Sequence, residues 1–355
     1  MSGSALRPDL LGNLCPVPIQ HHKRVVLGHG SGGKLTSELI QSVFLPAFRN
    51  RVLERLDDQA VLDISAGRLA FTTDSFVVTP LFFPGGDIGK LAIHGTVNDL
   101  AMSGARPLYI AAAFILEEGL EIKDLQQVVA SMRTASEEAG VQLVTGDTKV
   151  VERGKGDKLF ITTTGIGEIE RPVYISADQA RPGDKVILSG TIGDHGMAIM
   201  STREGLEFEG EIKSDTAPLN GLVSAILKTT TQVHVMRDPT RGGLATTLNE
   251  IAHRSRIGIR VEQQRIPVRD AVKGACEILG IDPLYVANEG KLVAFVAAAD
   301  AERALDCMQN QVLGAEACII GEVVADHRGM VLMKTDVGGT RILDTMFGEQ
   351  LPRIC

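Results

Sequence analysis

The tetrapeptide Arg181-Pro182-Gly183-Asp184 divides the chain in two. Proline fixes φ, glycine admits a left-handed turn, and aspartate bonds its own backbone, so the run reads as a tight turn and the domain boundary. Upstream, helical spacing predicts helices over 35–44, Ile88–Met102 and Ile122–Ala139, the last closed by Gly140. Short apolar runs predict strands over 59–64, 68–73, 109–115, 141–144 and 158–166. Downstream a second series begins, with strands at 185–189, 257–261, 291–297, 318–323 and 330–333 and helices at 193–200, 219–229, 243–253, 269–279 and 301–312. Neither half shows the strict strand–helix alternation of a dinucleotide-binding domain, so an α+β fold of two domains is preferred. The expected boundaries are a flexible extension over 1–22, a first domain over 23–170, a second over 180–337 and a tail over 338–355. Gly338-Gly339 breaks the last strand, no regular period follows, and Pro352 stops any helix from reaching the end.

Composition supports two compact units. The 355 residues exceed what one core usually serves. Hydrophobic residues make up 44%, while tryptophan is absent and aromatics are only 4%, so the cores must be aliphatic. A net charge of -8 without a long basic run excludes general nucleic-acid binding, and no window supplies the ~18 apolar residues of a membrane span. The first 20 residues lack the order of a signal peptide, so a cytoplasmic location is expected. Five scattered cysteines with no CxxC pair suggest neither disulfides nor a thiolate zinc site.

Acidic residues recur at the ends of apolar elements: Asp58 before a strand, Asp74 at the end of one, Asn98-Asp99 on the helix from Ile88, Asp147 after Val144-Thr145-Gly146, and Asp238 before the helix at 243. Such carboxylates converging on one cleft would hold Mg²⁺ together with a substrate's phosphates, although any single one also serves as a turn or helix cap. Gly28–Lys34 is glycine-dense and basic, fit to wrap an anion or to act as a hinge; Leu35 stands where a Walker A loop needs Ser or Thr. Arg241-Gly242-Gly243 offers a further phosphate contact at a helix N-terminus, or an ordinary tight turn. Cys355 ends the chain. It is either incidental or, on an extended tail whose ~15 residues reach roughly 50 Å, a thiol able to travel between sites. Arg353 favours its thiolate and the α-carboxylate opposes it.

Taken in order, His29-Gly30-Ser31-Gly32-Gly33-Lys34, Asp57-Asp58-Gln59-Ala60, Thr72-Thr73-Asp74-Ser75, Val97-Asn98-Asp99-Leu100-Ala101-Met102, Thr145-Gly146-Asp147-Thr148-Lys149, Arg237-Asp238-Pro239-Thr240-Arg241-Gly242-Gly243 and Pro352-Arg353-Ile354-Cys355 closely resemble the hydrogenase-maturation branch of the aminoimidazole ribonucleotide synthase-like (PurM-like) superfamily. The resemblance spans about 23–355, and the Pro-Arg-Ile-Cys ending singles out the branch. It implies an N-terminal domain that dimerises by pairing sheets, a C-terminal α/β domain and ATP near the homodimer interface. It implies that the carbamoyltransferase HypF loads Cys355, that ATP drives dehydration of the S-carboxamide to a thiocyanate, and that the cyano group passes to iron on a HypC–HypD complex. By the same resemblance Asp58, Asp74, Asp99 and Asp238 look like the Mg²⁺–phosphate set, Asn98 and Asp147 like further nucleotide contacts, Lys34 like a phosphate contact, and Lys149 and Glu289 like the proton-handling pair. The glycine loop carries no cysteine, which speaks against the selenium chemistry of related synthetases. The alternatives are a small-molecule kinase such as a thiamine-monophosphate kinase, and a nucleotide-gated scaffold without catalysis.

Overall fold

The computed structural model describes residues 23–26, 29, 38–50, 54, 67–205, 212–345 and 354. The expected strand at 59–64, and with it Asp58, Lys34 and Cys355, lie outside the described residues. The first unit begins with a helical stretch ending at Leu45–Phe48, followed by β1 (Arg68–Phe76), a small hairpin of β2 (Phe82–Phe83) and β3 (Gly86–Asp87), α1 (Ile88–Met102), β4 (Arg106–Glu117), α2 (Ile122–Ala139), β5 (Gln142–Val151) and β6 (Leu159–Ile169). Four strands form one sheet in the order β1-β6-β4-β5, antiparallel except for the parallel β4–β5 pair.

Asp87 starts α1 by accepting hydrogen bonds from the backbone N–H groups of Gly89 (2.7 Å) and Lys90 (3.0 Å). Every residue of α1 except Lys90 and Asp99 is buried, because the helix is wedged between the sheet and α2. Gly89 permits that closeness: a Cβ there would run into the backbone of Val128 on α2. Gly140, at φ 70°, closes α2 as its sequence position implied.

The helices cover only one face of the sheet. Along β1 the exposed residues alternate with partly buried ones, leaving Phe71 70% exposed and Leu69 44% exposed on the far face, where Ile115 of β4 also lies open.

The second unit runs β7 (Lys185–Leu188), α3 (Asp194–Glu204), α4 (Asn220–Thr229), β8 (Val233–Arg237), α5 (Gly243–Ser255), β9 (Gly258–Glu262), α6 (Asp270–Leu279), β10 (Val293–Val296), α7 (Ala298–Gln309), β11 (Cys318–Val324), β12 (Val331–Lys334) and β13 (Thr340–Leu343). Its seven strands order as β13-β12-β9-β11-β7-β10-β8. The units are not separate globules. One apolar cluster joins Leu91, Val128 and Ile161 to Met197, Val272 and Val286, and another joins Ala101 and Met102 to Leu222 and Ile226.

One expectation about the chain's end needs correction. It is not irregular from Gly338 onward. Gly338 adopts φ 87° in a turn closed by Thr335 N–H to Gly339 O (2.9 Å), and Thr340–Leu343 return as β13 beside β12. Ile354, the last described residue, is 4% exposed within the cluster shared by the two units.

Candidate active site

Asp99 is one of the two residues of α1 that escape burial, and its carboxylate accepts from Thr72 Oγ1 on β1 at 2.8 Å. Asp74 stands two residues beyond Thr72 on the same side of β1. Its Oδ1 lies 3.8 Å from an Arg241 nitrogen. Asp238 follows β8 in a loop held by Thr240 N–H to Asp238 O (3.0 Å) and Gly243 N–H to Thr240 O (2.9 Å). Only glycine fits at 243, where φ is 63° and a Cβ would meet the backbone of Leu284–Val286 at 2.6–2.7 Å. Glu289 approaches from the loop before β10, 3% exposed, and its buried Oε1 has no hydrogen-bond partner. Thr72, Asp74, Asp99, Asp238, Arg241 and Glu289 line one cleft of about 650 Å³ beside β1, an edge strand among the described residues. The fold therefore brings together Asp74, Asp99, Asp238 and Glu289.

The cleft has an excess of negative charge. Burial raises the pKa of Asp99, with the Thr72 hydrogen bond opposing and Asp74 adding to the rise. Burial, then the charge of Asp99, pushes Asp238 up to about 7. Burial foremost, then Asp238, Asp215, Asp74 and Asp99, lifts Glu289 well above the usual carboxylate range. Mutual repulsion of this kind, beside an unpartnered buried oxygen, makes a donor set that a cation would stabilise. Hard carboxylate oxygens suit Mg²⁺. Among the described residues no three acidic, His or Cys side chains form a ready-made metal cage, so such a cation would take its remaining oxygens from a bound phosphate.

Glu289, expected as one of the proton-handling pair, is locked in place from behind. Its N–H donates to Asp215 Oδ1 (3.0 Å), Asp215 Oδ2 pairs with Lys291 Nζ (3.1 Å), and a Cβ on Gly290 would overlap the Asp215 carbonyl. Its carbonyl accepts from Asn98 Nδ2 (3.1 Å). Asn98 also donates to Ala217 O (3.0 Å) and accepts from Leu219 N–H (2.8 Å). With both amide hydrogens committed and 1% exposure, Asn98 ties the units together. Asn288 performs a similar task. Its Oδ1 takes the N–H of Gly193 (2.7 Å) and its Nδ2 donates to Pro239 O (2.9 Å), fixing the Asp238 loop.

Asp147 and Lys149 are elsewhere in the protomer. They lie on β5, the opposite edge strand, paired with Ala113 and Ile115 and so on the uncovered face. They contact each other at 3.5 Å and are mostly exposed. Three strand spacings, roughly 14 Å, separate their strand from β1.

Ile354 is bonded to α3. His195, wholly buried, has Nε2 2.6 Å from the carbonyl of Ile354 and Nδ1 2.8 Å from Ser214 Oγ. Asp215, which accepts from Glu289 N–H, follows Ser214 directly in the chain. Sequence reasoning missed His195, Asp215 and Asn288. The available signals were the polar Gly193-Asp194-His195-Gly196 at a helix start, the Lys213-Ser214-Asp215-Thr216 run between helices, and an Asn preceding Glu289.

Models of the AIR synthase related protein match twice, the N-terminal domain over residues 56–169 and the C-terminal domain over 181–334. A carbamoyl dehydratase HypE from Azotobacter vinelandii is 56% identical over 331 residues, covering 93% of this chain and 97% of that relative. A crystal structure of the hydrogenase maturation protein HypE in complex with ATP superposes with a TM-score of 0.90 at 51% identity, over 93% of this chain and 99% of that one. The HypE subunit match in a HypE–HypF complex has a TM-score of 0.77 at 50% identity, over 87% and 99% of the two chains.

Proposed function

The chain belongs to the AIR synthase related family and, within it, to the HypE carbamoyl dehydratases of hydrogenase maturation, and we propose that the acidic cleft along β1 is where it dehydrates the carbamoyl group carried by its own Cys355. The activity is ATP-dependent conversion of an S-carboxamide to a thiocyanate. The observation that supports the assignment to this cleft is a buried Glu289 oxygen without a hydrogen-bond partner, set among Asp74, Asp99 and Asp238 on the cleft wall.

An amide oxygen leaves poorly. The γ-phosphoryl group of ATP moves to the carboxamide oxygen, ADP departs, and the nitrogen gives up one proton. The C–O bond then breaks, inorganic phosphate carries the oxygen away, and loss of the second N–H proton completes the C≡N bond. Mg²⁺, held by Asp74, Asp99, Asp238 and the expected Asp58, would neutralise phosphate charge in this cleft. Arg241 and Arg237 line the same cleft and supply fixed positive charge. Glu289, its affinity for protons raised by burial and by four nearby carboxylates, is suited to take and return a nitrogen-bound proton. Lys34 is assigned to a phosphate.

Lys149 and Asp147 enter through a second copy. The uncovered face of the sheet, with Phe71, Leu69 and Ile115 exposed, fits its own image in a homodimer. Sheet pairing would carry β5 of one copy toward the β1 edge of its partner. The carbamoyltransferase HypF is the source of the carbamoyl group, and a HypC–HypD complex the acceptor of the cyano group. A cytoplasmic setting suits these partners.

The test is mass spectrometry of the C-terminal peptide after incubation with ATP, Mg²⁺, HypF and its carbamoyl donor. Sequential carbamoyl and cyano adducts on Cys355 are expected, and none on a Cys355→Ser protein. A wild-type Cys355 that gains the carbamoyl group and never loses its water would overturn the reading. A kinase of a small molecule would have no use for a docked chain end.

A further inference from the structure

Among the described residues the Oε1 of Glu289 has no hydrogen-bond partner, so no bond to that oxygen aims it into the cleft. The backbone of the same residue is held on both sides. Its N–H donates to Asp215 Oδ1 (3.0 Å), and its carbonyl accepts from Asn98 Nδ2 (3.1 Å). We propose that Asp215, with Lys291 as its counter-charge, is a positioning residue for dehydration, fixing the peptide from which the Glu289 side chain reaches the carboxamide. The inference rests on the carbamoyl dehydratase reading and deepens it. Asp215 stands behind the cleft wall rather than on it.

The nature of the acceptor argues for a held backbone. A turn N–H is ordinarily satisfied by a carbonyl or by water, and neither brings a net charge. Here a carboxylate on a side chain 5% exposed takes that place, beside a cleft that already gathers Asp74, Asp99, Asp238 and Glu289. A charge so buried is costly unless it is paired. Lys291 Nζ, on a side chain 13% exposed, pairs with Oδ2 at 3.1 Å. In return a charged acceptor holds an N–H roughly twice as strongly as a neutral one. One carboxylate thus bridges residues 289 and 291, with Gly290 between them pressed against the Asp215 backbone where a Cβ would overlap.

Asp215 is itself placed by the first unit. Residues 213–219 form neither helix nor strand. They are gripped through Ser214 N–H to Pro84 O (2.8 Å), Asn98 Nδ2 to Ala217 O (3.0 Å) and Leu219 N–H to Asn98 Oδ1 (2.8 Å). Asp74 on β1 and Asp99 on α1 belong to that same unit, whereas Glu289 belongs to the other. The connection through Asp215 therefore keeps the base of one unit in register with the carboxylates of the other.

Truncating Asp215 alone would strand the Lys291 charge, so the test compares variants that lack both charges. Asp215→Asn with Lys291→Gln keeps an oxygen facing the Glu289 N–H. Asp215→Ala with Lys291→Gln removes it. Asp215 also adds to the raised pKa of Glu289, and both doubles lose that contribution equally. Asp215→Leu with Lys291→Met removes the acceptor while filling its space. The readouts are the single-turnover rate of S-carboxamide to thiocyanate at saturating ATP, the ATP concentration giving half that rate, and the melting temperature. The Asn double should stay within about threefold of wild type, and the Ala and Leu doubles should run about tenfold slower than the Asn double. Half-saturating ATP should shift by no more than about twofold in any of them, because the lost bond serves the base and not the nucleotide. Equal rates in the Asn, Ala and Leu doubles overturn the proposal. So does a loss seen with Ala and absent with Leu, which would assign the effect to a cavity, or a loss matched by weakened ATP use and a lowered melting temperature. A wild-type protein that is carbamoylated and never forms thiocyanate overturns the dehydratase reading and this inference with it, whereas equal doubles beside an active wild type overturn the inference alone.

Discussion

Asp238 couples the stability of the molecule to pH in a direction opposite to that of an ordinary salt-bridged carboxylate. Its folded-state pKa of about 7 lies above the ordinary 3.8, because burial and the charge of Asp99 disfavour ionisation. Between these values the folded protein binds a proton that the unfolded chain does not. The contribution is therefore complete below pH 3.8 and is lost as pH rises through about 7. Asp238→Asn removes the titration. Without divalent cations, denaturant titrations should find wild type gaining on Asp238→Asn by on the order of 1 kcal/mol for each unit that pH falls from 7 to 5. Saturating Mg²⁺ and nucleotide should flatten that slope by replacing the proton with a metal charge. A gap that is flat in pH without ligand would mean that Asp99 and Glu289 hold the protons instead. The sequence could mark Asp238 and Asp99 as candidates because each stands at an element's end. It could not distinguish Asn98, two of whose hydrogen bonds go to residues 119 and 191 positions away. Nor could it find His195 or Asp215, whose partners are the chain end and a loop more than 70 residues on.

At the scale of elements, legibility followed burial. The bounds of α1 and α2 were readable from the sequence because apolar spacing, the Asp87 cap and Gly140 agree on them. Among the strands missed or shortened, three show the reason. β5 continues past Val144 as an edge strand whose later residues are mostly exposed, so no alternation of apolar residues announces it. β8 is five residues long and buried on both faces, which erases the period of two. β13 buries only Leu343. The helix glycines carry a prediction that their sequence spacing does not. Gly89 lies at the α1–α2 crossing with no room for a methyl group, while Gly274 within α6 has nothing within 4 Å of a built Cβ. Gly89→Ala should overpack the crossing and destabilise by about 1–3 kcal/mol. Gly274→Ala should stabilise by about 0.5–1 kcal/mol through helix propensity. Paired thermal melts of the two variants measure the difference. Equal effects would show that α1 and α2 shift apart at little cost.

Across the whole molecule the decisive fact is that Glu289 and Lys149 occupy opposite margins of one protomer: Glu289 in the cleft at the β1 edge, Lys149 on the uncovered face of β5. If they share a reaction, two chains must build it, and a symmetric dimer then has two sites, each taking Glu289 from one copy and Lys149 from the other. Co-expressing a Glu289→Gln chain with a Lys149→Ala chain tests this arrangement. In the mixed dimer one site receives both substitutions and the other receives neither. With random pairing half the dimers are mixed, so about a quarter of wild-type single-turnover dehydration should return although each variant alone is inactive. A site built within one chain would leave every site damaged, and no activity would return. Adding Phe71→Asp to both chains should abolish the recovery, because a charge on the uncovered face opposes sheet pairing, and sedimentation should then report monomers. Recovery that survives in such monomers would place Lys149 and Glu289 together by some movement of a single chain, and the dimer would lose its part in the chemistry.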